Sequence, residues 1–171
     1  MRPHFTDTQR SGDGAPRPAL RLPAAGRVRS AKPGGERADS GRSALRAEIT
    51  AFYDGFGQPE ALRATVRAAA LYVPLTGGDR LATFRFRGID WVCGFTSLEE
   101  YARFMVARAQ RSGTEIRPGV EYRYHTLYGW RLLDYAESRD ELTGLTVDIS
   151  GTAPMAFPPE QAIVEGKKHD G

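Results

Sequence analysis

Phe84–Tyr101, FRFRGIDWVCGFTSLEEY, decides the fold. With Ala82 just ahead of it, Phe84 and Phe86 alternate with Thr83, Arg85 and Arg87. That period of two marks a half-buried strand. Arg87-Gly88-Ile89-Asp90 turns the chain, and Trp91, Cys93 and Phe95 share one face of the next strand. Ser97 and Glu100 then stand at capping-box spacing. The helix they open is expected to bury Leu98, Tyr101, Met105, Val106 and Ala109. Strand, turn, strand and helix follow one another with almost no connecting loop.

Upstream, Leu71–Leu75 reads as a strand, joined through Thr76-Gly77-Gly78-Asp79 to the strand at Ala82–Phe86. Glycine supplies the positive φ that a tight hairpin needs. The three strands together predict a meander. Two helices precede it. Leu45, Ile49, Phe52, Tyr53 and Phe56 repeat along one helical face, with Ser43 as the N-cap and Gly55 and Gly57 as stops. Pro59 suits the first position of the second helix. Its Leu62, Val66, Ala69 and Ala70 turn inward, and Arg63 and Arg67 turn outward.

Downstream, Arg108 and Arg111 lie where a helix dipole favours cations, and Gly113 ends the helix. Val120, Tyr122, Tyr124 and Thr126 alternate with Glu121, Arg123 and His125 in a fourth strand. Trp130, Leu133 and Ala136 form a short helix face. Leu145, Val147 and Ile149 line a fifth strand, and Met155-Ala156-Phe157 adds an edge piece before Pro158 and Pro159. The expected fold is α+β: a single domain, with a mostly antiparallel sheet and helices packed on one face.

Charge divides the chain. Residues 1–42 hold nine Lys/Arg and four Asp/Glu, a balance of +5; the remainder holds fifteen and seventeen, a balance of −2. The first segment is rich in Arg, Pro and Gly, with Phe5 as its one aromatic residue. Too little apolar surface is present to offset the entropy of ordering it. We therefore expect a disordered basic tail over 1–42, a domain over 43–165, and a frayed end over 166–171. The tail reads as a solvated arm or the product of an upstream start codon. A weak nucleic-acid contact through it is the competing reading. The body is close to neutral, so no nucleic-acid partner is expected there. Overall, 40% hydrophobic and 26% charged residues suit a soluble globular protein. No apolar run reaches the ~20 residues that span a bilayer, and Arg and Pro interrupt any signal-peptide core.

No catalytic constellation emerges. Gly55-Phe56-Gly57-Gln58-Pro59-Glu60 lacks the third glycine of a dinucleotide loop and follows a helix. There is no P-loop and no Gly-x-Ser-x-Gly elbow. One cysteine excludes an intramolecular disulfide and a cysteine-rich zinc site. Of the three histidines, His4 and His169 fall in the terminal segments, so no metal site and no cofactor are expected. Cys93, set between Trp91 and Phe95, reads as a small buried hydrophobe; pairing with His125 as nucleophile and base is the enzymatic alternative. Arg85, Arg87 and Arg123 could form an outer basic stripe. A single-strand platform would need aromatics on that same face, and here they point the other way. Tyr72, Tyr122, Tyr124, Tyr128 and Trp130 are numerous for one small domain, and serve either as core or as an exposed binding patch.

The series Phe52-Tyr53-Asp54-Gly55, the Pro59 helix, Leu71–Leu75, Trp91–Glu100, Gly129–Asp134, Thr143–Asp148 and Pro154–Pro159 resembles the SseB-type N-terminal domain of many actinobacterial proteins. The resemblance covers about residues 50 to 164. It rests on Tyr72, Pro74, Trp91, Phe95, Thr96, Ser97, Leu98, Glu99, Glu100, Gly129 and Trp130. The family name records a serine-sensitivity phenotype, not an activity, and an unrelated secretion-system protein shares it. The resemblance implies a cytoplasmic accessory domain with no catalytic residue to carry over. It leads to the expectation of a non-enzymatic module that binds an unidentified protein partner, with no membrane partner.

Overall fold

A computed structural model of the chain describes residues 32–76, 79–114 and 123–160, with side chains from residue 35 onward. Four helices and seven strands follow in the order α1 (Lys32–Tyr53), α2 (Pro59–Ala68), β1 (Ala70–Thr76), β2 (Arg80–Leu81), β3 (Thr83–Phe86), β4 (Ile89–Gly94), α3 (Leu98–Ser112), β5 (Tyr124–Tyr128), α4 (Gly129–Glu137), β6 (Thr143–Val147) and β7 (Met155–Phe157). The α+β class and the predominance of antiparallel pairing agree with the sequence.

The expected meander is divided between two sheets, ordered β2-β1-β5 and β3-β4-β6-β7. The strand foreseen at Ala82–Phe86 changes partners at Ala82. Before it, Leu81 and Arg80 pair with Leu75 and Thr76; after it, Thr83 to Phe86 pair with Val92 to Ile89. Ala82 N–H donates to the Pro74 carbonyl at 2.9 Å, which pins the crossover. β1 and β4 meet at one bridge, where Tyr72 and Phe95 each donate to the other's carbonyl at 2.9 Å. Beyond Phe95 the chain turns into α3, so that ladder cannot extend. β4 and β6 run parallel. Such a pair needs a long crossover, supplied here through α3, β5 and α4.

Two apolar clusters occupy opposite faces of β1 and β4. Leu71, Val73 and Val92 join Leu45 and Ile49 of α1, Leu62 and Val66 of α2, and Leu132 and Leu133 of α4. The alternate residues, Tyr72, Cys93 and Phe95, join Tyr101 and Phe104 of α3. Three helices thus share one face and α3 covers the other, so helices pack on both faces rather than on the single face expected, because the alternate residues of β1 and β4 are apolar as well. Both faces of β4 are buried, which explains why Trp91-Val92-Cys93 reads as a continuous apolar run.

Several boundaries differ from the sequence reading. Ser43 is not an N-cap: α1 begins at Lys32, and the proposed division at 42/43 falls inside it. Arg42 is buried on the same face as Leu45 and Ile49. Its guanidinium donates to the Ala70 carbonyl at 2.9 Å, pairs with Asp39, and lies 4.7 Å from the Tyr72 ring centre. Phe52, Tyr53 and Phe56 are exposed, because only Leu45 and Ile49 meet the core before the helix ends. On α3 the buried residues are Tyr101 and Phe104; Leu98 and Val106 face out. On α4, Leu132 joins Leu133 and Ala136 inside, and Trp130 is exposed. β6 stops at Val147, since Asp148 takes a positive φ of 50° and turns the chain before Ile149. Pro59 at the start of α2 and left-handed Gly113 at the end of α3 stand as expected. The tail before residue 32, Val120 to Tyr122 of the fourth strand and the segment 166–171 lie outside the described residues.

Candidate functional site

The carboxyl ends of β4 and β6 lie side by side and meet the start of α3. Thr96 donates its backbone N–H and its hydroxyl to the two Asp148 carboxylate oxygens, at 2.8 and 2.6 Å. Asp148 N–H in turn donates to the Gly94 carbonyl at 3.1 Å. Burial pushes the Asp148 carboxyl above its ordinary range, against the two Thr96 bonds and the charge of Arg46. Ser97 caps α3 by accepting from Glu100 N–H at 3.2 Å. The return bond of the capping box is not made; the Glu100 carboxylate takes Arg103 at 2.7 Å instead. Its second oxygen is buried without a hydrogen-bond partner among the described residues. Exposed Glu99 is held below the ordinary carboxylate range by its own backbone N–H, then by Ser97, Arg46 and Arg103.

Most residues that carry the resemblance are therefore structural. Tyr72 and Phe95 form the bridge between the sheets; Thr96, Ser97 and Glu100 fix the strand-to-helix turn. Pro74 is buried in β1, opposite Tyr124, and accepts the Ala82 bond. Trp91 donates its indole N–H to the Phe86 carbonyl at 3.4 Å. Gly129 packs directly on the end of α2. Leu98, Glu99 and Trp130 remain at the surface. Asp148 and Arg42 escaped the sequence reading. Arg42 was detectable, since it continues the Leu45–Ile49 stripe one turn earlier. Asp148 carried only the weak signal of an acid at the end of an apolar strand.

Cys93 and His125 do not come together. Cys93 belongs to the α3 face of β4, whereas His125 pairs in register with Val73, which faces α1, α2 and α4. Burial pushes the Cys93 thiol up to about 12, opposed by a bond with Thr146 and the charge of Arg108. A thiol held so firmly protonated is a poor nucleophile. The arginine stripe is also not assembled. Arg85 pairs with Asp90 at 3.7 Å, Arg123 with Asp79 at 2.7 Å, and Arg87 lies over the Phe86 ring. Arg85 and Arg123 belong to different sheets. No group of acids, histidines and cysteine suited to a metal ion occurs among the described residues. No described helix is long and apolar enough to cross a membrane.

What remains conspicuous is the end of α1. Phe52, Tyr53 and Phe56 are 40%, 57% and 83% exposed within one turn of chain. Their backbone is fixed: Phe56 and Gly57 N–H both donate to the Ala51 carbonyl at 2.9 Å. The Tyr53 hydroxyl donates to the Pro154 carbonyl and ties the turn to the segment before β7. No protein-family model, no curated protein and no solved structure matches the chain.

Proposed function

We propose that this chain is a cytoplasmic, non-enzymatic protein-interaction module of the SseB type, and that it binds its partner through Phe52, Tyr53 and Phe56. The carrying observation is the exposure of Phe56 beside two further exposed aromatics on a rigid turn. Single exposed apolar residues are ordinary, but a contiguous aromatic group marks an interaction surface. Aromatic side chains concentrate at the centres of protein interfaces. A surface already held in place also loses less conformational entropy on binding. The ordered series of residues and the α+β architecture support the family reading, and the burial of Cys93 away from His125 supports a binding role over a thiol-based reaction.

The test is affinity capture from native lysate with the full chain and with a Phe52→Ala/Phe56→Ala variant. A partner retained by the first and lost by the second is expected, with the melting temperature little changed because neither ring is in the core. Equal retention by both would reject the surface. Turnover of a substrate that depends on Cys93 would reject the non-enzymatic reading.

A further inference from the structure

We propose that a basic segment of the same chain, residues 16–23, covers the Phe52-Tyr53-Phe56 surface in the free protein, so that a partner must displace it. This rests on reading the aromatic turn as a binding surface, and adds what occupies it. The border of the three rings is acidic. Glu48 stands one turn before Phe52 on α1, and Asp54 lies between Tyr53 and Phe56. Gly57 packs directly on the Phe52 backbone and leads at once into α2, with Glu60 in its first turn. Asp54 and Glu60 are exposed and Glu48 is half-buried. None of the three has an ion-pair partner among the described residues. No Lys or Arg occurs between Arg46 and Arg63, and Arg63 is taken up by Glu137 and Glu160. The carboxyl end of α1 adds the negative pole of a helix. An apolar surface with this border fits a ligand that is both apolar and cationic.

Pro16-Arg17-Pro18-Ala19-Leu20-Arg21-Leu22-Pro23 has that character, with two arginines, two leucines and no acid. Arginine lays its guanidinium on aromatic rings while pairing with carboxylates, and leucine covers the apolar remainder. Three prolines limit the freedom that the segment gives up on binding. Length selects the same residues. α1 has 22 residues, about 33 Å at 1.5 Å each. The chain ahead of Lys32 must run back over that distance, which takes ~10 residues at ~3.3 Å each and brings residues 20–22 to the rings. Arg27-Val28-Arg29 is too close to α1 to reach them. Residues 1–13 mix their basic side chains with Asp7 and Asp13. A separate basic protein matches the charge as well, but residues 16–23 compete from an effective concentration of ~1 mM because the chain tethers them. Charge sets the class of ligand, and the tether sets the occupant.

Limited trypsin digestion of the full chain, read by mass spectrometry, provides the test. Trypsin cleaves after Arg21 inside the segment and after Arg10 outside it, and the ratio of the two rates corrects for protease activity. Initial rates are compared, since later cleavage after Arg27 or Arg29 frees the segment. Phe52→Ala/Phe56→Ala leaves both cleavage sequences intact and should speed cleavage at Arg21, relative to Arg10, at least ~3-fold. Asp54→Lys/Glu60→Lys should do the same, and protection in the native chain should fall as salt rises. Melting temperatures should stay near the native one, because all four residues are exposed. Should the aromatic variant fail to fold, the charge variant still decides the matter. An Arg21 rate indifferent to either variant overturns the proposal. Protection that grows with chain concentration from ~5 to ~100 μM overturns it equally, because a second copy would then supply the segment. Capture of a partner separates this question from the reading it rests on. A partner lost in Phe52→Ala/Phe56→Ala, with Arg21 cleaved equally in both chains, keeps the surface as a partner site and removes residues 16–23 from it. Equal capture by both chains, with Arg21 protected only in the native one, keeps the segment on the surface and rejects the partner there.

Discussion

Two buried acidic groups set opposite lessons at the scale of single residues. Cys93 stays protonated in the fold up to about 12, whereas its ordinary value is 9.0. A folded value above the unfolded one contributes stability that is complete below the unfolded value and is lost as pH rises. Between pH 9 and 10 the unfolded chain releases the thiol proton and the native chain keeps it, so stability should fall by up to ~1.4 kcal/mol per pH unit on this account. Urea denaturation at pH 8, 9 and 10 should show the gap between the native chain and Cys93→Ala closing by about that amount. A constant gap would mean that the thiol ionises inside the fold. Asp148 also has a raised folded value, so its ionised form carries a burial cost at neutral pH that vanishes in acid. Asp148→Asn keeps an acceptor for the Thr96 N–H and tolerates the positive φ, and should be close to neutral. Asp148→Ala strands that N–H and places alanine in a left-handed conformation, at a combined cost of roughly 2–4 kcal/mol. Chemical denaturation at neutral pH separates the two; equal losses would show that the carboxylate charge itself holds Thr96.

At the scale of elements, periodicity identified what each segment is and failed on what it touches. The Pro59 helix, the Ser97 cap, the Gly113 stop and the Met155–Phe157 edge were all legible, because each depends on neighbours in the chain. The exchange of partners at Ala82 was not, because alternation gives a strand its faces but not its neighbours. Leu98 and Val106 were misplaced for a related reason. α3 has two apolar rows, and Tyr101 with Phe104 forms the one that the sheet accepts. The candidate site was less legible than the fold: Phe52, Tyr53 and Phe56 fit a helical core stripe, yet all three are exposed and only Leu45 and Ile49 of that stripe join the core. Gly129 shows the same limit. It opens α4 against the end of α2, where an added Cβ would sit 1.9 Å from the Val66 carbonyl oxygen. No rotamer relieves a clash with backbone, so Gly129→Ala should cost ~3 kcal/mol or more by forcing α4 away from α2. A thermal melt within a degree of the native chain would mean that the two helices separate freely.

At the scale of the whole molecule, the question is where the folded body begins. Composition put the boundary at 42/43, because residues 1–42 are polar, basic and poor in large apolar groups. The structure carries α1 back to Lys32 and uses its first half. Arg42 reaches across to β1, donates to the Ala70 carbonyl and stacks on Tyr72, so one buried cation joins α1 to the bridge between the sheets. A buried hydrogen bond from a charged donor contributes about 1.5–3 kcal/mol, and a cation over an aromatic ring about 0.5–1 kcal/mol. A chain spanning 43–171 loses both and leaves the Ala70 carbonyl without that donor. It should be less stable than a chain spanning 32–171 by roughly 2–4 kcal/mol, read from urea denaturation midpoints. Arg42→Ala in the longer chain should reproduce most of that loss, because it removes the same contacts and leaves the helix its full length. If 43–171 proves as stable as 32–171, the first half of α1 contributes nothing to the fold. If the truncation is costly and Arg42→Ala is not, helix length rather than the buried arginine secures the boundary.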